Sequence, residues 1–175
     1  MAIKIYPTTK VYVVAPANTA TGGPELLHQL VYHLKKELNI DAYMYYIPSD
    51  HPNPVCLEYK LYNNPFVRNI EDLDKNILIV PEAIGGIKIL REYRRIRRVI
   101  WWLSVDNFYL SLFLSSKKNL FIPRLINKIS SMVFKKKVID VTEFAYRYIF
   151  NKNFLNIPEV KQADFYLAQS YYAIK

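Results

Sequence analysis

Along this chain the spacing of hydrophobic positions switches between a strand pattern and a helix pattern, and the first switch is the most informative. Residues 10–16 (KVYVVAP) are a near-continuous apolar run, the form a strand buried on both faces takes. A loop of small polar residues, 18–21, leads to Gly22 and Gly23. Leu26, Leu27, Leu30, Val31, Leu34 and Leu38 then recur at helical spacing, with Gln29, Lys35, Lys36 and Glu37 elsewhere on the wheel. The pattern predicts a strand, a glycine turn and an amphipathic helix. Pro24 suits the first helical position, where its missing N–H has no partner to lose. Such a unit aims backbone N–H groups and the positive end of a helix dipole at one point, which suits phosphates and other oxyanions.

The alternation continues. Residues 40–47 read as a second strand, 48–54 as a proline-rich loop holding His51, and 56–62 as a short extra strand. Residues 77–81 (ILIVP) form another doubly buried run, with Glu82, Gly85 and Gly86 at its end. Residues 88–97 read as a helix with Ile89, Leu90, Tyr93 and Ile96 inward and Arg91, Arg94 and Arg95 outward; 98–103 (RVIWWL) is a further buried strand, followed by Ser104, Asp106 and Asn107. Residues 138–141 suit a short strand, Thr142 a cap for a helix to about Phe150, and 163–169 the last strand. This order predicts a single Rossmann-like α/β domain over residues 1–175. Its sheet is doubly wound and mainly parallel, with helices on both faces and a basic, apolar insertion at about 107–139.

Sheets of this kind bind ligands beyond the carboxyl ends of their strands. The predicted site therefore gathers Asn18, Thr21, Gly22, Gly23, Glu25, Glu82, Gly85, Gly86, Ser104, Asp106, Asn107 and Ser170. Gly22 and Gly23 serve either as a plain turn or as an anion cradle. The sequence is not Gly-x-Gly-x-x-Gly and no Gly-Lys-Ser/Thr follows, which disfavours a dinucleotide and a phosphate loop of the nucleotide-hydrolase type. Glu82 and Asp106 follow different strands and are the weak catalytic candidates. They either act together as acid and base, or hold sugar hydroxyls, or cap loops and helix ends. His28 and His33 are five apart on one helix, point in different directions, and make no metal pair, so no metal site is expected.

Composition adds bounds. With 175 residues, 51% hydrophobic and 22% charged, the chain fits one folded domain and not a disordered one. Fifteen tyrosines and nine phenylalanines give it unusual aromatic surface. Cys56 is the single cysteine, which rules out an intrachain disulfide and fits a reducing compartment. Residues 1–9 lack the charged and apolar regions of a secretory leader, and no run of about 18 uncharged apolar residues occurs, so a cytoplasmic protein that spans no membrane is expected.

The net charge of +9 is concentrated mid-chain: residues 107–139 hold seven Lys/Arg and no acid. Leu125, Ile126, Ile129, Met132 and Val133 form one helical stripe there, preceded by the apolar run of Phe108, Tyr109, Leu110, Leu112, Phe113 and Leu114. Lys117, Lys118, Arg124, Lys128, Lys135, Lys136 and Lys137 surround the stripe. Two readings stand. Either the stripe meets an anionic membrane surface, peripherally and on its cytoplasmic side, or it faces the core with a solvated basic rim. Nucleic acid is disfavoured, because the charge lies among aliphatic rather than stacking residues.

Residues 10–16 together with 22–34 (GGPELLHQLVYHL), a strand near residue 43 and the closing 163–173 (ADFYLAQSYYA) resemble the N-terminal half of a GT-B glycosyltransferase, most like the retaining family 4 type. The resemblance implies a two-domain enzyme that moves a sugar from a nucleotide-sugar to a glycan or lipid-linked acceptor in cell-surface polysaccharide or glycolipid synthesis. This domain would bind the acceptor and the second domain most of the donor, with no tightly bound cofactor. The family's diglycine loop, near the donor diphosphate, maps onto Gly22 and Gly23. Two features depart from the family: the loop after 98–103 has no His, and the paired-glutamate motif of the donor domain would lie past Lys175, so this stretch alone is expected to be inactive. The alternatives are a non-enzymatic Rossmann-like module that binds an anionic membrane or an acidic partner through its basic segment, and a different nucleotide-binding enzyme.

Overall fold

The computed structural model describes residues 3–115, 117–136, 139–140, 143, 158 and 160–169, without the side chains of 117–120, 122, 133 and 134. Six strands form one sheet: β1 (Lys10–Pro16), β2 (Asp41–Ile47), β3 (Phe66–Val67), β4 (Ile77–Pro81), β5 (Arg97–Trp102) and β6 (Phe165–Ala168). Every neighbouring pair is parallel, in the order β3-β2-β1-β4-β5-β6. The chain winds outward from β1 to β3, returns to lay β4 against β1, and then winds the other way. Connections leaving β1 and β4 consequently part to opposite faces, and a crevice opens between them.

Among the described residues the continuous helices are α1 (Gly22–Lys36), α2 (Ile84–Ile89), α3 (Val105–Ser115) and α4 (Lys117–Phe134), with 3-10 turns at Leu57–Tyr62, Leu90–Glu92 and Val160–Gln162. Alternate strand residues feed two cores, one on each face. Val11, Val13, Ala15, Ala42, Met44, Ile77, Ile79 and Val99 pack with Leu27 and Val31 of α1. Tyr12, Val14, Leu78, Val80, Ile100 and Trp102 pack with Ile84 and Ile87 of α2 and Val105 and Phe108 of α3. This two-sided burial explains why β1 and β4 carry almost no polar residues.

Several elements depart from the sequence reading. Residues 57–62 form a 3-10 helix, not a strand. The alternation of Leu57, Tyr59 and Leu61 imitates a strand, yet both leucines are exposed and Tyr59 is buried. In a 3-10 helix residues three apart share a face, so Tyr59 and Tyr62 both turn to α1. The edge position falls instead to β3. The glycines Gly22 and Gly23 lie inside the first turn of α1, which puts Pro24 at its third residue; a first-turn N–H has no intrahelical partner there either. Leu38 falls beyond the helix and is exposed.

The helix expected at 88–97 begins earlier, at Ile84, and takes in Gly85 and Gly86. A Cβ on Gly86 would stand 3.2 Å from Pro81 Cδ and 3.3 Å from its carbonyl oxygen, so only glycine lets α2 lie this close to β4. The helix stops early because Asp72 accepts hydrogen bonds from the N–H groups of Arg94, Arg95 and Ile96, at 3.0, 2.9 and 2.7 Å. Burial would raise the Asp72 pKa, but these three donors outweigh it and hold the carboxyl below its ordinary value.

The basic segment is α3 followed by α4. On α4, Pro123 and Ser130 are buried while Phe121, Leu125, Ile126, Ile129 and Met132 are exposed, so the apolar stripe does not face the core. Arg124, Lys128, Lys135 and Lys136 are exposed as well. Of the expected strand at 138–141, Ile139 and Asp140 are described and take no strand conformation; in the helix expected after Thr142, Glu143 is helical. Residues 138, 141, 142 and 144–150, Lys137 and Ser170 lie outside the described residues, as do the side chains of Lys117, Lys118 and Val133.

Candidate functional site

At the carboxyl ends of β1, β4 and β5 lies a cleft of about 740 Å³. Thr21, Gly22, Gly23, Pro24, Glu25 and Leu26 form one wall; Glu82, Leu103, Ser104, Asn107 and Gln169 form the other. The first wall is the N-terminus of α1. Its N-cap residue, Thr21, makes no side-chain cap bond, and the helix ladder begins with the Glu25 N–H on the Thr21 carbonyl at 3.1 Å. The amides of Gly22 and Gly23 precede that bond, the position from which helix ends bind anions. Neither glycine has a positive φ. A Cβ on Gly22 would meet nothing within 4 Å, and one on Gly23 only the Leu103 side chain at 3.8 Å. The backbone thus does not demand glycine here, and the two residues leave the helix end bare.

Aromatic residues brace this wall from behind. The Thr21 N–H donates to the Tyr59 hydroxyl at 2.8 Å, and that hydroxyl donates to the Thr21 carbonyl at 2.7 Å. Tyr62 donates to the Glu25 carboxylate at 2.8 Å. His28, 1% exposed, packs against Tyr59 with ring centroids 4.4 Å apart and planes tilted by 32°. Its Nδ1 lies 2.7 Å from the Pro24 carbonyl, which can only accept, so Nδ1 carries the proton and Nε2 accepts from the Tyr46 hydroxyl at 2.9 Å. Burial pushes the His28 pKa down, outweighing the Pro24 bond that favours the charged ring. Burial likewise pushes the Tyr46 phenol up.

The floor is Glu82, 2% exposed. Its Oε2 accepts from the Leu103 N–H at 3.1 Å and its Oε1 from the Asn107 amide at 2.9 Å. Ser104 caps α3, its hydroxyl accepting from the Asn107 N–H at 3.2 Å. The carboxylate therefore ties the ends of β4 and β5 to the first turn of α3.

Of the expected site residues, the structure brings Thr21, Gly22, Gly23, Glu25, Glu82, Ser104 and Asn107 into one cleft. Asn18, Gly85, Gly86 and Asp106 do not line it. Asn18 turns the chain with φ 48°, its N–H on the Pro54 carbonyl at 2.7 Å. Gly86 packs on Pro81. Asp106 lies one residue before Asn107 in the first turn of α3, so a helix that turns Ser104 and Asn107 to the cleft turns Asp106 away. Glu82 and Asp106 thus do not meet in the cleft as a pair. Sequence reasoning missed Leu103 and Gln169 because both belong to the ends of expected strands, and it missed the bracing role of Tyr59 by reading it as strand.

The sheet order and the crevice at its switch point define a Rossmann-like α/β protein. Compared with known proteins, the chain matches no family model, no curated protein and no solved structure. Among the described residues, no helix is long and apolar enough to cross a membrane.

Proposed function

We propose that this chain is the acceptor-side domain of a GT-B-type glycosyltransferase, in which the diphosphate of a nucleotide-sugar approaches Gly22 and Gly23 and a glycan or lipid-linked acceptor shares the cleft. The observation that carries this reading is the cleft at the β1/β4 switch point, with the bare N-terminus of α1 as one wall. Unsatisfied N–H groups and the helix dipole favour a phosphate there. Across the cleft Glu82, Ser104 and Asn107 offer the mixture of acceptors and donors that sugar hydroxyls use. The Glu82 oxygens already engaged by Leu103 and Asn107 keep lone pairs for a hydroxyl. In this reading a second domain holds most of the donor, so affinity for this domain alone is weak and localised.

Titration of the isotope-labelled chain with nucleoside-diphosphate sugars tests the reading, with pyrophosphate and a nicotinamide dinucleotide as comparators. Amide shifts at Gly22, Gly23, Ser104 and Asn107 are expected with a nucleotide-sugar. Gly22→Asp should abolish them while keeping the fold, since its Cβ has open space and a carboxylate suits a helix N-terminus. Absence of any response to nucleotide-sugars, or a stronger one to the dinucleotide, overturns the proposal.

A further inference from the structure

α4 is packed with its apolar side outward. At about 100° per residue, Pro123, Asn127 and Ser130 share one face, on which Pro123 and Ser130 are buried and Asn127 half-buried. Asn127 fastens the chain that follows: its amide donates to the Ile139 carbonyl at 2.8 Å and its carbonyl accepts the Ile139 N–H at 2.9 Å. The opposite face carries Phe121, Leu125, Ile129 and Met132, which are 65, 44, 54 and 76% exposed. Four large apolar side chains in one row along a helix mark a contact surface. Arg124 and Lys128 stand exposed along one edge of that row, and Lys135 and Lys136 are exposed just past the helix end.

The charge pattern selects the occupant. A second copy laid antiparallel, stripe to stripe, would bring Arg124 and Lys128 of both copies to one edge, and in either orientation 107–139 holds no acidic side chain to pair with them. A surface of anionic lipid satisfies both features at once, taking the apolar row into its acyl boundary and the cations onto its phosphates. At 18 residues α4 is about 27 Å long, and an amphipathic helix with basic residues at its edge lies in the plane of the interface.

We infer that α4 docks flat on an anionic lipid surface, with Phe121, Leu125, Ile129 and Met132 immersed and Arg124, Lys128, Lys135 and Lys136 on the headgroup phosphates. This docking is independent of what the cleft binds. Four cations at such a surface favour anionic over neutral vesicles by on the order of 10²- to 10³-fold at low salt, and screening reduces the ratio as salt rises.

The single cysteine makes a local test direct. In a Cys56→Ser background, Ile129→Cys carries a polarity-sensitive dye, and Lys36→Cys on α1 carries the same dye as a control. Vesicles of phosphatidylglycerol and phosphatidylcholine should blue-shift the dye at 129 and leave the dye at 36 unchanged, whereas pure phosphatidylcholine needs at least a hundredfold more lipid. Joint Arg124→Glu and Lys128→Glu replacement should weaken the response at least tenfold with unchanged thermal melting, both positions being exposed. No response to anionic vesicles, equal response at 36, or insensitivity to the charge reversals overturns the inference. So does a lipid-free blue shift that rises with protein concentration alongside a dimer mass, which assigns the stripe to a second copy.

Discussion

The Tyr59 hydroxyl holds the main chain of Thr21 from two sides, accepting its N–H at 2.8 Å and donating to its carbonyl at 2.7 Å. A side chain from outside the helix thus fixes the N-cap residue, which its own hydroxyl does not. Tyr59→Phe keeps the ring on His28 and removes both bonds. Stability should fall by about 1 kcal/mol. Hydrogen exchange at Gly22 and Gly23 should quicken while Leu30 and Val31 keep their protection; unchanged exchange at the glycines would show that the wall does not need this brace.

Adjacent glycines in α2 should respond with opposite signs. Gly85 has nothing within 4 Å of a built Cβ, so Gly85→Ala should stabilise by about 0.4–1 kcal/mol through the unfolded chain. Gly86→Ala drives a methyl into Pro81, whose ring and carbonyl have little freedom, and should cost about 1–3 kcal/mol. Urea melts of the two variants decide the matter, and equal shifts would contradict the close packing of α2 on β4.

Glu82→Leu should strand the Leu103 N–H and the Asn107 amide in a buried place, at about 2–5 kcal/mol. Asn107→Ala should then cost at least about 1 kcal/mol less in the Glu82→Leu background than in the unaltered chain, because the two share one bond. Additive losses would mean that the carboxylate and the amide act separately.

Acid should destabilise the fold in two separate windows. His28 has a folded pKa below its ordinary 6.5, so between the two values the unfolded chain binds more protons. Its contribution is complete above about pH 6.5 and is lost as pH falls through that window. Tm should therefore be lower at pH 5 than at pH 7, and His28→Phe should flatten that slope. Asp72 and Asp164 also have depressed folded values, from an ordinary 3.8, so their contributions disappear only at more acidic pH. For Asp164, burial works against the shift, and the Arg98 guanidinium at 2.9 Å overcomes it. A slope between pH 7 and 5 that survives His28→Phe would place the proton elsewhere.

The first strand, helix and second strand were legible because burial on both faces and burial on one face leave different periods in sequence. The crevice was legible in the same way: once strand ends are placed, parallel topology dictates where they meet. Residues 57–62 misled because Leu57 and Leu61, both exposed, continued an alternation that carried no burial information. Gly85 and Gly86 hid the start of α2, since glycine weighs against a helix locally and the contact with Pro81 that requires it is nonlocal. Periodicity grouped Leu125, Ile126, Ile129 and Met132, all of them exposed, but could not say whether they met the core or solvent.

The crossover from β5 to β6 leaves the sheet at its cleft edge. Ser104 and Asn107 stand in the cleft wall at the start of α3, and α4 begins two residues after α3 ends. Eleven residues of helix make α3 a spacer of about 16 Å. Val105, Phe108 and Phe113 bury α3 along its length, so a single pinned helix joins the Ser104 and Asn107 wall of the cleft to the exposed row of α4, and a change in how α3 packs reaches both.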